Sequence, residues 1–385
     1  MTTRSSRPTT TTLRVFHRAR ARRVWAPGRG RTGCVAVIVV GNGLTAALPR
    51  RGGLLDGSSA SENVAVACCR GGKEVQPGTG AANLVPVVMH PDQLAVEVET
   101  VRVLVAGQFP AWAELPVRPV GSQGTVNAIF RVGDGLVARF PLRYEGPAGA
   151  LRQLEAEAAA AGELLGRTPF ATPAPVALGH PGPGYPLPWS VQTWVPGTVA
   201  TEADPGGCFD FAHDLALFVR AVRAIGTGDR VFRGTGRGGD LRSHDDWMAT
   251  CFERSESILD VPGLRQRWRG LRELPRDDHG DVMTHGDLVP GNVLVADGRL
   301  VGIIDVGGLG PADPALDLVS AWHLLETEPR EALREDLGPD DLEWERGKAW
   351  AFEQAMGLVW YYARSNPTMS ALGRRTLSRL LEAGT

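Results

Sequence analysis

The sequence predicts an α+β chain, with strands gathered in one region and helices in another. Three observations carry this. Three short β-prone segments follow one another over residues 117–140. From residue 209 onward, apolar residues recur mainly at helical spacing. A single hairpin is marked within that helical region, where Val293–Val295 and Leu300–Ile304 flank Asp297-Gly298.

Residues 1–88 show no sustained period. Arginines crowd the start and no acidic residue precedes Asp56. Three readings compete: a basic disordered tail, a targeting peptide with arginines ahead of the apolar Cys34–Leu48 region, or an over-extended reading frame whose start is Met89. The third is preferred, because Met89 directly precedes the first helical pattern. That helix is expected over Pro91–Ala106, with Leu94, Val98, Val101 and Val105 on one face and Gly107 as its C-terminal cap.

Strands are expected over Val117–Val120, Val126–Val132 and Leu136–Phe140. Gly121-Ser122-Gln123-Gly124-Thr125 joins the first two and Gly133-Asp134-Gly135 the second pair. A helix follows over Gly149–Leu165, with Leu151, Leu154, Ala158, Ala161 and Leu165 as its stripe. Glu157 lies on the edge of that stripe, and Glu155 faces away. A Pro-rich stretch then leads to the strand-like Trp189–Val195.

The next helix, Phe209–Ile225, buries Phe211, Leu215, Phe218, Val222 and Ile225. Gly234-Thr235-Gly236-Arg237-Gly238-Gly239 matches a dinucleotide-binding string, but it follows no strand and opens no βαβ unit. It reads as a flexible connection. His244, Asp245 and Asp246 read as a solvated helix start rather than a metal site. Trp344, Trp350, Phe352, Met356, Val359 and Trp360 read as core.

The chemistry concentrates in Met283–Leu309. Asp287 and Asn292 lie five apart and Asp305 thirteen further on. A turn centred on Asp297-Gly298 places Asn292 opposite Ile303, so Asn292 and Asp305 emerge together at the open end of the hairpin. Two oxygen-bearing side chains there suit a hard cation such as Mg²⁺ that takes its other ligands from water and phosphate. Asp287, just upstream, is placed to accept a proton from a hydroxyl aimed at that phosphate.

These residues resemble the catalytic and metal-binding loops of the aminoglycoside phosphotransferase family. His285-Gly286-Asp287 with Asn292 stands where those enzymes carry H-G-D-x-x-x-x-N. Asp305-Val306-Gly307 stands where kinases usually have Asp-Phe-Gly, with Val306 departing from that pattern. Pro311–Leu318 resembles the family's Asp-Pro-x-x-Asp-Leu segment, in which Asp317 braces the catalytic loop.

The resemblance implies a two-lobed protein-kinase-like fold, with an N-lobe over 89–196 and a helical C-lobe over 197–385. It further implies that Gly121, Ser122 and Gly124 cover the phosphates of ATP or GTP. Arg139 takes the place of the usual phosphate-gripping Lys, where its fork can bind bidentately. Glu157 fixes that cation, and Thr193, Trp194 and Val195 offer backbone groups to the base. By the same resemblance, Asn292 and Asp305 would hold Mg²⁺, and Asp287 would be the catalytic residue.

A net charge of −2 over 385 residues gives no sign of a nucleic-acid surface. No apolar run is long enough to span a bilayer. Five scattered cysteines fit a reduced cytoplasmic setting, and the sequence leaves the oligomeric state open. Three functions remain in view. The first is a kinase that modifies aminoglycoside antibiotics, conferring resistance; nine acidic residues over 326–345 would attract such a polycation, or simply coat an exposed helix pair. The second is a kinase for another hydroxylated molecule, such as a macrolide, homoserine or a choline-like alcohol. The third is a nucleotide-binding protein without turnover.

Overall fold

The computed structural model describes residues 38–40, 43–45, 93–121, 126–143, 146–234, 236–276 and 280–382. Contacts divide the chain into two units, Met1–Cys68 and Cys69–Thr385. In the first, β1 (Ile38–Val40) pairs antiparallel with β2 (Gly43–Thr45). Apart from these two strands, the expectations for residues 1–88 and for a start at Met89 lie outside the described residues.

The second unit opens with α1 (Val98–Gln108). It begins later than its apolar spacing suggested and runs through Gly107, the expected cap. The amide of Leu94 donates to the carbonyl of Leu142, which ties the chain ahead of the helix to the end of the Leu136–Pro141 strand, and Glu97 at the helix start is extended. The sheet is built from β3 (Val117–Pro119), β4 (Asn127–Val132), β5 (Leu136–Pro141), β6 (Pro175–Gly179) and β7 (Trp189–Thr193), with α2 (Pro147–Leu164) between β5 and β6. All neighbours are antiparallel, in the order β3-β4-β5-β7-β6.

Alternation along β5 decides the site's geometry. Ala138 and Phe140 join Val101, Leu104, Phe130, Tyr185 and Trp189 in one core. Phe140 stacks on Trp189 with centroids 4.8 Å apart. Arg139, between them, points to the other face, where α2 lies. Gly179 makes the stack possible, because a Cβ there would sit 2.1 Å from the Trp189 indole. On α2 the buried stripe is Ala150, Leu154, Ala160, Ala161 and Leu164. Leu165, expected in it, is exposed because the chain leaves the helix there with ψ of 121°.

The larger lobe contains β8 (Thr198–Val199), α3 (Ala200–Ala203), α4 (Phe209–Arg223), α5 (Asp245–Ser255) and α6 (Val261–Leu271). Next come β9 (Val282–Thr284), β10 (Val293–Ala296), β11 (Arg299–Ile303) and β12 (Gly310–Ala312). The chain closes with α7 (Val319–Leu324), α8 (Thr327–Leu337), α9 (Asp341–Tyr361) and α10 (Pro367–Glu382). β11, β10 and β8 form one small sheet, and β12 pairs with β9.

The spine of this lobe is α9, which packs against α5, α6, α7 and α10. It is buried on nearly every side, including Trp344, Trp350, Phe352, Met356 and Val359, with Trp360 only partly covered. Arg346 of α9 forms an ion pair with Asp313, just after β12, and both are almost fully buried. Of the nine acidic residues over 326–345, Glu326 pairs with Arg379, Glu343 with Arg223, Asp341 with Arg334 and Glu345 with Lys348. Among the described residues no helix is long and apolar enough to cross a membrane.

Candidate active site

The hairpin forms where Asp297-Gly298 predicts it, with φ of 51° and 73° at the two residues, as its tight turn requires. Its register differs by one from the expected one. Val293 pairs with Ile303 because a bulge lies between Leu294 and Val295 and their partners, Gly302 and Leu300. Gly302, beside that bulge, has no room for a side chain, since a Cβ would meet Val195 Cγ1 at 2.5 Å. The shift brings Asn292 level with Ile304, whose amide donates to the Asn292 carbonyl at 2.9 Å. Asn292 thus ends one residue from Asp305.

Asp305 has a left-handed backbone, φ 58° and ψ 49°. For a residue with a Cβ that costs about 1–3 kcal/mol, offset by the surrounding contacts. Its Oδ1 accepts from Arg139 Nη2 at 2.8 Å, and half of its side chain remains exposed. Arg139 Nη1 lies 3.6 Å from Glu157 Oε2 on α2. Gly307 lets this happen, because a Cβ there would stand 2.6 Å from Glu157 Cγ.

Asp287 sits on the other side of Asn292. The Asn292 amide nitrogen donates to the Asp287 carbonyl at 2.9 Å and to its Oδ2 at 3.0 Å, leaving Asn292 Oδ1 as the acceptor of that amide. The backbone is braced from beneath by Asp317, fully buried, which accepts from the amides of His285 at 2.8 Å and Gly286 at 2.9 Å. Burial pushes the Asp317 carboxyl upward, against the pull of His285 and these two donors. His285 Nε2 reaches the carbonyl of Ile304 at 3.3 Å, tying the loop to the hairpin.

The structure therefore brings together Asp287, Asn292, Asp305, Arg139 and Glu157. Thr193 ends β7, Trp194 and Val195 follow it, and Val195 packs over Gly302. The backbone donors expected there are partly spent: Thr193 donates to Ala174 and Trp194 to Gly135. Sheet pairing has claimed those two amides. Gly121 follows β3, with open space around it; Ser122 and Gly124 lie outside the described residues.

Two neighbours of Asp287 were not expected. Arg237 Nη2 lies 3.2 Å from Asp287 Oδ1, and Gln354 Nε2 donates to the same oxygen at 3.1 Å. Arg237 comes from the glycine-bearing connection and Gln354 from α9, so no local spacing marked either. Arg237 and Asp287 border a cavity of about 390 Å³ whose walls also include Phe232, Arg233, Thr284 and Pro311.

His244 is not solvated as expected but buried, with Nδ1 3.0 Å from Glu353 Oε1. Burial opposes its protonation, but Glu353 outweighs that and raises its pKa. Asp245 bonds Arg272 and the Trp268 indole. Among the described residues, no three His, Cys, Asp or Glu side chains cluster so as to hold a metal by themselves.

A family model described as "Phosphotransferase enzyme family" matches residues 117–350. An aminoglycoside 3'-phosphotransferase of Escherichia coli is 40% identical over 143 residues, which is 36% of this chain and 53% of that protein. One of Streptomyces fradiae is 39% identical over 150 residues, again 36% of this chain and 53% of that protein. The chain thus spans about half the length of these relatives. Among solved structures, the GDP complex of wild-type aminoglycoside 2'-phosphotransferase-IIIa superposes with a TM-score of 0.56 at 19% identity, covering 75% of this chain and 100% of that one. That likeness concerns the fold, a β-sheet lobe joined to a helical lobe. With the family model spanning both lobes and the residues gathered around Asp287, Asn292 and Asp305, the chain belongs to the phosphotransferase enzyme family.

Proposed function

We propose that this protein transfers the γ-phosphoryl group of ATP to a hydroxyl of an aminoglycoside. The observation that carries the reading is the placement of Asp287, a half-exposed carboxylate beside Asn292, one residue from Asp305. The alcohol oxygen attacks the γ-phosphorus, the bond to the bridging oxygen of ADP breaks, and the alcohol proton passes to the Asp287 carboxylate. Arg139 neutralises phosphate oxygens and is oriented by Glu157. Asn292 Oδ1 and the Asp305 carboxylate are the hard oxygen donors that Mg²⁺ prefers, and they would hold it. When bound, the ion supplies charge neutralisation on the phosphates. Beyond the end of β7, Val195 is the remaining candidate to donate a backbone N–H to the nucleotide base. The names of the relatives support the substrate class, and GDP in the structural relative supports testing GTP beside ATP.

One observation favours a second reading. Arginines, not further carboxylates, flank Asp287 in the adjoining cavity. A neutral or anionic hydroxylated molecule would meet less repulsion there than a polycation. An ADP-release assay across aminoglycosides, macrolides and small alcohols, with ATP and with GTP, separates the two. Turnover with aminoglycosides supports the first reading, and turnover only with uncharged or anionic alcohols supports the second. Asp287→Ala should abolish turnover while ATP still binds; near-normal turnover in that variant would remove Asp287 from the reaction.

A further inference from the structure

We infer that Gln354, held in one orientation by His323 and Thr376, is the residue that positions the Asp287 carboxylate for proton acceptance. The inference rests on the reading of Asp287 as the base. Gln354 Nε2 lies 3.1 Å from Asp287 Oδ1, His323 Nε2 lies 3.0 Å from Gln354 Oε1, and His323 Nδ1 lies 2.9 Å from Thr376 Oγ1. The line runs from α10 through α7 and α9 to the catalytic loop, and both His323 and Thr376 are fully buried.

Only one arrangement of protons satisfies this line. Asp287, as a carboxylate, only accepts, so the Gln354 nitrogen must face it and the Gln354 oxygen must face His323. His323 therefore carries its proton on Nε2, and its bare Nδ1 accepts from the Thr376 hydroxyl. Burial pushes the imidazole down to about 4, so it stays neutral with a single N–H at working pH. Reversing any link would set two acceptors or two donors against each other. Gln354 also differs in kind from Arg237 on the same oxygen. It gives a donor without a charge, from a helix buried in the core, whereas Arg237 comes from a connecting loop at the cavity. Gln354 thus fixes the carboxylate's orientation without adding a second charge beside Arg237.

A merely structural role would be to tie α7, α9 and α10 together. Gln354→Met keeps the length and removes the donor. In the full chain, kcat for ADP release should fall roughly 10–100-fold, while the KM for ATP changes less than about twofold. A crystal structure of that variant should show the Asp287 carboxylate turned away from Asn292 Nδ2. ¹⁵N spectra should show His323 as the Nε2–H tautomer in the wild type and a mixture in the variant. Should Gln354→Met fail to fold, Thr376→Val removes only the hydroxyl that pins Nδ1, with an expected loss of kcat of roughly 10-fold. A folded variant with wild-type kcat, an unmoved Asp287 and an unchanged tautomer overturns the inference. If the wild type phosphorylates no alcohol, the proposed function fails instead, and the crystal and tautomer results still decide whether Gln354 positions Asp287.

Discussion

Arg139 Nη2 lies 2.8 Å from Asp305 Oδ1, so a cation rooted in the sheet of the small lobe is bonded to a carboxylate rooted in the large one. Only alternation along β5 puts it there, turning Arg139 away from the aromatic core and toward α2. Its second partner, Glu157, has a buried Oε2 without a hydrogen bond of its own. The guanidinium therefore balances two carboxylates before any nucleotide is bound.

Replacing this cation should weaken nucleotide binding. In Arg139→Met the two carboxylates face each other and the incoming phosphates without compensation. The KM for ATP is expected to rise roughly 10–100-fold, the worth of one or two charge-assisted hydrogen bonds. Titration calorimetry with a non-hydrolysable analogue checks this, and unchanged affinity would detach Arg139 from the nucleotide.

Gly307 should tolerate no side chain. A Cβ there stands 2.6 Å from Glu157 Cγ and 3.3 Å from its Cβ and Cδ, near the root of the side chain where it cannot swing clear. Gly307→Ala should cost about 1–3 kcal/mol of stability through overpacking and displace Glu157 from Arg139. Urea unfolding together with the KM for ATP tests it: both should worsen in this variant, while Gly291→Ala, with open space around its Cβ, should cost little stability.

Arg346 should be costly to remove. It donates to Asp313 through Nε at 2.7 Å, to the carbonyl of Gly239 at 2.9 Å and to that of Leu274 at 2.9 Å. Among the described residues, Arg346→Met leaves the buried Asp313 with the Trp350 indole and the Ala315 amide as donors. Breaking such a pair typically costs about 3–5 kcal/mol. Denaturant midpoints measure it, and a loss below about 1 kcal/mol would contradict the assignment. Because Gly239 ends the connection that carries Arg237, contact of Arg237 with Asp287 should loosen as well.

Some of the acid sensitivity should trace to His323. Burial lowers its pKa from 6.5 to about 4, with Gln354 and Asp287 opposing the fall and Arg237 and Arg379 assisting it. Between those values the unfolded chain binds a proton that the folded chain does not. The stability His323 contributes is therefore complete above about pH 6.5 and lost as pH falls from there through about 4. Between pH 7 and 5 the loss should be roughly 2 kcal/mol at about 1.4 kcal/mol per unit. His244, whose pKa is raised, works in the opposite sense, so the test is a difference. His323→Leu should lose less stability than the wild type between those pH values; equal losses would refute the assignment.

Local pattern carried much of this protein. Alternation and turn residues located β4, β5 and the hairpin closed by Asp297-Gly298, because strand period and positive φ are properties of neighbouring residues. Spacing alone also set Asp287, Asn292 and Asp305 within one short stretch. Period failed where burial is not one-sided: α9 is covered nearly all round, so its apolar residues mark a core without marking a face.

What the sequence by itself determined was the order of β4, β5, α2 and the hairpin, and the placing of Asp287, Asn292 and Asp305 within one short stretch. Tertiary structure decided the one-residue bulge that brings Asn292 level with Ile304, the spending of the Thr193 and Trp194 amides within the sheet, and the arrival of Arg237 and Gln354 at Asp287. Those two stand 50 and 67 residues away along the chain. Contacts over such separations are fixed by how helices pack, and packing leaves no period in the residues that make the contact.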